Sequence, residues 1–211
     1  PIAKGKPCIA LKVLSHYAPV IRAENEFRNF MRAALGLSDY DGNRGYYTLQ
    51  LAVAGDGSSG KADEAMAKAG LNFEKLGVEG FLLAKDGKRS YILCAYSPKG
   101  VLNGVYKIME KTLGIVSPRP LTGLEFPYPV EKAVPLALPY WEAPAFSIRG
   151  LSPSGATHRN PQPDFHDWMG RNLMNCRGLG QTSYFDMAWA LEPYGFLRNI
   201  GGHSFHQWLP P

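Results

Sequence analysis

Two stretches of this chain repeat apolar residues at spacings of three and four, while the segments around them alternate every second residue. That mixture commits the chain to helices packed on a sheet, because the two periods gather side chains on a helical stripe and on a strand face respectively. The first stripe runs from Val20 to Leu35 through Ile21, Phe27, Phe30, Met31, Ala34 and Leu35, and Gly36 ends it. The second opens at Ser97-Pro98, a hydroxyl cap with proline at the first helical position. It carries Val101, Leu102, Val105, Ile108, Met109 and Leu113 as far as Gly114. Cys8–Leu14 reads as a strand, and Tyr46–Ala54 as another with Tyr47, Leu49, Leu51 and Val53 on one face. Gly80–Tyr96 reads as a hairpin turning at Asp86-Gly87, a pair suited to a type I′ turn. The expected fold class is α+β: a small mixed β-sheet with two helices on one face.

The texture changes after this unit. Seven prolines fall between Pro118 and Pro144, which predicts an extended connector held against a surface. All four tryptophans and four of the five histidines lie beyond residue 140, and no lysine follows Lys132. We place a boundary near Pro139, giving units over 1–138 and 139–211.

Composition narrows the function classes. An apolar fraction of 45% over 211 residues is enough for a packed core. No apolar run approaches the roughly 20 residues of a membrane helix, so membrane insertion is not expected. The net charge of +5 comes entirely from the first unit, where basic and acidic residues are interspersed, so nucleic acid is not an expected partner. Cys8, Cys94 and Cys176 show no paired spacing, which removes zinc and redox motifs, and Cys94 reads as a small core residue. Neither a cofactor nor a metal is expected.

Gly55-Asp-Gly-Ser-Ser-Gly60-Lys61-Ala62 has the spacing of a phosphate loop between a strand and a short helix. Ala62, however, stands where a hydroxyl should hold Mg²⁺, and no later strand ends in a suitable aspartate. The loop is read as a flexible strand–helix connection, and nucleotide binding is the third functional reading.

The last seventy or so residues carry the chemistry. Ala145–Leu151 reads as a buried strand with Phe146 and Ile148 opposed to Ser147 and Arg149, delivering Arg149 to the strand's C-terminal end. A guanidinium there can fork onto two hydroxyls or a carboxylate, or it can form a structural salt bridge. Asp164 and Asp167 begin an apolar-periodic helix with Phe165, Trp168, Met169 and Leu173, and read as capping acids with His166 exposed beside them. His158 lies in the preceding loop and is a candidate for facing a ligand. His203 follows Gly201-Gly202, whose backbone freedom suits a loop that approaches a ligand; with His206 it lacks a third metal ligand.

Several of these segments together resemble a known layout. Glu79-Gly80-Phe-Leu-Leu, a hairpin, then Gly100-Val-Leu-Asn-Gly-Val-Tyr106-Lys-Ile-Met-Glu-Lys-Thr-Leu-Gly114 resembles the small domain that precedes the barrel in α-glucuronidases and β-hexosaminidases. Pro144–Gly150 resembles the Pro-x-Phe-x-x-Arg-Gly first strand of those barrels, and Trp168–Asn175 their first helix. The Gly-Gly-His-Ser-Phe ending resembles a group of uncharacterised bacterial glycoside-hydrolase-like proteins. The resemblance implies an accessory domain followed by the first βα elements of an incomplete (β/α)₈ barrel, since a whole barrel takes roughly 250 residues. It implies a periplasmic or extracellular parent that cleaves a polysaccharide or glycan, with the remainder of the barrel as partner. It implies that Arg149 hydrogen-bonds the sugar, with His203 as a ligand contact. After Arg149-Gly150 the chain departs from the hexosaminidase pattern, with Leu151-Ser-Pro-Ser-Gly-Ala-Thr157 replacing Leu-Asp. Catalytic carboxylates belong to later strands, so the chain alone is expected to be inactive. The alternative is a non-catalytic carbohydrate-binding or structural module that uses its tryptophans.

Overall fold

The computed structural model describes residues 2–3, 6–37, 40, 42–43, 45–119, 133–151, 163–177 and 191–197. The first unit contains β1 (Ile2–Ala3), β2 (Lys6–Pro7), β3 (Ile9–Val13), α1 (Ala18–Leu35), β4 (Tyr47–Val53), α2 (Gly60–Lys68) and α3 (Phe73–Leu76). These are followed by β5 (Phe81–Lys85), β6 (Ser90–Ala95), α4 (Pro98–Leu113) and β7 (Tyr140–Glu142). Five strands form a mixed sheet in the order β3-β4-β6-β5-β7. The first three are parallel, and β5 is antiparallel to both β6 and β7.

Period-2 alternation assigns the two faces. Leu49, Leu51 and Val53 of β4, Phe81 and Leu83 of β5, and Leu93 and Ala95 of β6 meet Phe27, Phe30 and Met31 of α1 and Leu102, Val105 and Met109 of α4. These two helices share one face, as their stripes predict, and Gly36 and Gly114 end them in left-handed conformation. Ile21 lies off the buried stripe and is exposed. The opposite face is also covered. Ala52, Leu82, Ile92 and Cys94 pack against Ala62, Ala65 and Met66 of α2 and against Leu71 and Leu76. Cys94 is a fully buried core residue, and burial pushes its thiol up to about 12.

The glycine spacing of the α4 motif has a packing cause within this molecule. A Cβ on Gly104 would sit 2.6 Å from Leu93 Cδ1, and one on Gly100 would sit 2.6 Å from both Ala95 Cβ and the Gly80 carbonyl oxygen. Glycines one turn apart let α4 lie close on β5 and β6. The hairpin turn differs from expectation. Instead of a two-residue type I′ turn, residues 86–89 form the loop, and the Asp86 N–H donates to the Ser90 carbonyl at 2.8 Å. Gln50 Nε2 holds the Asp86 carboxylate at 2.6 Å, and Lys61 Nζ does so at 2.8 Å.

The described part of the proline-rich connector runs along the α1/α4 face. Val134 N–H donates to the Thr112 carbonyl at 2.8 Å, and Ala133 and Leu136 pack on the core. Tyr140–Glu142 then joins the sheet edge as β7. Beyond it lie β8 (Gly150–Leu151), α5 (Pro163–Arg171), β9 (Cys176–Arg177) and a 3₁₀ turn at Glu192–Tyr194. β8 and β9 are parallel, and Leu197 forms a further parallel bridge to Cys176. Strand, helix and parallel strand in succession make a βαβ unit. Among the described residues no helix is long and apolar enough to cross a membrane.

Candidate functional site

The region around Arg149 is built from both parts of the chain. The segment before β8 is less strand-like than its alternation predicts: pairing begins only at Gly150, and Phe146 and Ile148 are 73% and 69% exposed rather than buried. The cause is a backbone anchor at residue 149. Arg149 N–H donates to Asn175 Oδ1 at 2.8 Å, and the Asn175 and Cys176 N–H groups donate to the Arg149 carbonyl at 2.8 and 3.1 Å. Parallel pairing therefore starts just after Arg149, which precedes the paired residues of β8 instead of ending the strand.

The Arg149 guanidinium is engaged within the protein. Nε donates to the Leu173 carbonyl at 2.9 Å, Nη1 to the Phe146 carbonyl, and Nη2 to the Glu79 carboxylate. Glu79, from the turn between α3 and β5, is buried and also accepts from Asn175 Nδ2 and, at 3.2 Å, from Asn103 Nδ2 of α4. Asn175 Nδ2 reaches the Ser147 carbonyl at 2.7 Å. An isolated buried carboxylate is costly, whereas one with three charge-assisted or amide donors is satisfied. Arg149 and Glu79 form one wall of a cleft of about 520 Å³, whose other sides include Val78, Pro144, Phe146 and Leu197. Arg149 thus joins the five-stranded sheet unit, through Glu79, to the start of β8 at the cleft's edge. His158 and His203, the other residues expected at a ligand site, lie outside the described residues, as does His206.

A second polar cluster ties α1 to α5. Glu26 accepts from Arg171 Nε at 2.9 Å and from Arg22 Nη2 at 3.1 Å. Asp167 accepts from Arg22 Nη2 and from the Tyr194 hydroxyl, and Arg22 lies 4.0 Å from the Tyr194 ring centroid. Tyr106 is buried beside these charges, and desolvation raises its phenol well above the usual range. Asp167 therefore bridges elements and does not cap α5, whereas Asp164 is exposed in the helix's first turn. His166 is 1% exposed, correcting its expected exposure, because its ring packs edge-on to Tyr194 and Phe196. Sequence reasoning passed over Arg22 and Glu26, which sit in α1 with no local motif, and over the role of Asn175, whose partners Glu79 and Arg149 lie far away in the chain. The Glu79-Gly80 and Asn103-Gly104 pairs were the available signal.

Several donors of the phosphate-loop lookalike are already engaged within the protein. Gly55 N–H donates to Asp63 Oδ1 and Ser58 N–H to Asp56 Oδ1, both at 2.8 Å, while Lys61 is paired with Asp86. Burial tends to raise the Asp86 carboxyl, but the bonds from Lys61 and Gln50 hold it below the ordinary range. Among the described residues no group of three His, Cys, Asp or Glu is placed to hold a metal ion.

Compared with known proteins, the chain matches no family model and no curated sequence. Among solved structures it is similar to BtGH115A, a family GH115 4-O-methyl-α-glucuronidase with specificity for decorated arabinogalactans. The TM-score is 0.61 at 15% identity, covering 92% of this chain and 28% of that one. It is also similar to the Flavobacterium johnsoniae chitobiase FjGH20, with a TM-score of 0.51 at 13% identity, covering 92% of this chain and 31% of that one. The chain spans under a third of the length of either protein. At these identities the likeness is one of fold: a mixed sheet with its helices, of the kind found in glycoside hydrolases.

Proposed function

We propose that this chain is the N-terminal portion of a glycoside hydrolase: an α+β accessory domain, whose sheet takes in β7 just past the boundary expected near Pro139, and after it the opening βα elements of a TIM barrel. The observation that carries the reading is the parallel succession of β8, α5, β9 and the Leu197 bridge, fastened to the five-stranded sheet through Glu79. The whole enzyme acts on glycosidic bonds of a polysaccharide or glycan. The chain alone is inactive, because the groups that act on a scissile glycosidic bond, two flanking carboxyls or one carboxyl with a substrate group in place of the second, draw on later strands.

In this reading Arg149 contacts the sugar through donors its structural bonds leave over. Each of its three nitrogens has one partner described above, and a guanidinium carries five N–H groups. His158 and His203 contribute further hydrogen bonds. The test is turnover of an aryl-glycoside panel by the 211-residue chain and by a polypeptide extended through the whole barrel. Turnover by the longer protein alone is expected. Equal turnover by the short chain would overturn the assignment of the catalytic groups. In the longer enzyme, Arg149→Lys is expected to raise KM roughly tenfold or more by losing the forked geometry.

A further inference from the structure

Lys99, at the second position of α4, is 4% exposed, and among the described residues its Nζ has no hydrogen-bond partner. It sits at a seam. Its side chain packs on Gly195, where an added Cβ would lie 3.1 Å from Lys99 Cβ, and Nζ lies over the Phe196 ring, 5.3 Å from its centroid. That cation–π contact favours the ammonium, but it supplies no hydrogen-bond acceptor and only partly offsets burial. The charged groups around it are Glu79 from the α3–β5 turn, Arg149 from the segment before β8, and Arg22 from α1. Glu79 is already occupied by Arg149, Asn103 and Asn175. The two guanidiniums repel a further cation, and so does the positive end of the α4 dipole. His166 of α5 lies behind Phe196, ring to ring at 6.3 Å.

We propose that Lys99 makes closure of this seam proton-dependent: uncharged, it seals α4 against residues 191–197, and proton uptake opens the seam. This inference does not depend on the glycosidase reading, since it rests on a buried amine for which the described residues leave no acceptor. Burial lowers the ammonium from 10.5 to about 7, with Glu79 opposing the shift and both arginines adding to it. The sign follows. Between about 7 and 10.5 the open form holds one more proton than the closed form, so closure strengthens as pH rises through that window. Below about 7 both forms are charged, and Lys99 adds no further dependence.

The experiment follows hydrogen exchange of the Gly195 and Leu197 amides in the 211-residue chain, as protection over the unstructured rate at each pH. Protection is expected to rise roughly tenfold per unit from pH 7 to 9. Lys99→Met should be strongly protected with no slope, and Lys99→Arg weakly protected with no slope. A side-chain ¹⁵N titration of Lys99 in the unaltered chain gives the second readout, with a midpoint near neutrality expected. A midpoint near that of an exposed lysine, or a Lys99→Met slope equal to that of the parent, would overturn the proposal.

Discussion

The sheet unit and the segment beyond residue 143 are held by different forces. In the first, two apolar clusters sandwich a five-stranded sheet, and residues such as Phe27, Met31, Leu51, Leu93 and Leu102 are almost fully buried. In the second, the described buried apolar residues are few, chiefly Met169, Cys176, Leu191 and Tyr194. Its attachment runs instead through Arg149–Glu79–Asn175 and through Arg22, Glu26, Asp167 and Arg171. The difference teaches that the first unit carries its own core, whereas the second borrows its order from directional bonds to the first.

Substitutions should separate the two regimes. Phe27→Ala is expected to cost the whole chain about 4 kcal/mol, read as a lower urea midpoint for every probe. Glu79→Ala strands the Arg149 guanidinium and should cost about 3 kcal/mol, falling mainly on residues 144–177. Asp167→Asn weakens the pairs with Arg22 and Tyr194 and should cost about 2 kcal/mol, read as earlier loss of α5 protection. Lys61→Ala removes a half-exposed pair with Asp86 and should change stability by less than about 1 kcal/mol in thermal melts. The small Asp86 contribution is present above the ordinary carboxylate range and is lost as pH falls through its depressed value.

Legibility in the sequence follows the same division. Apolar periodicity is a local signal, so α1, α4 and β3 to β6 could be read residue by residue, whereas β7, a strand of three residues inside the proline-rich stretch, could not. The second sheet face was harder to see, because Ala52, Ala62, Ala65 and Cys94 pack closely without forming a conspicuous stripe. Polar networks carry no such period. Asp167 meets Arg22 across 145 positions and Arg149 meets Glu79 across 70, so neither partner could be named from spacing. His166 was misjudged for a related reason: the aromatic residues that cover it come from the 194–196 segment.

Native-state hydrogen exchange on Glu79→Ala tests the division most directly. The account expects protection to fall in α5, β9 and the amides around Arg149 while the amides of β4, β6 and α4 keep theirs. A uniform loss across both regions, or no loss in the second, would contradict the claim that the segment beyond residue 143 is ordered through Glu79.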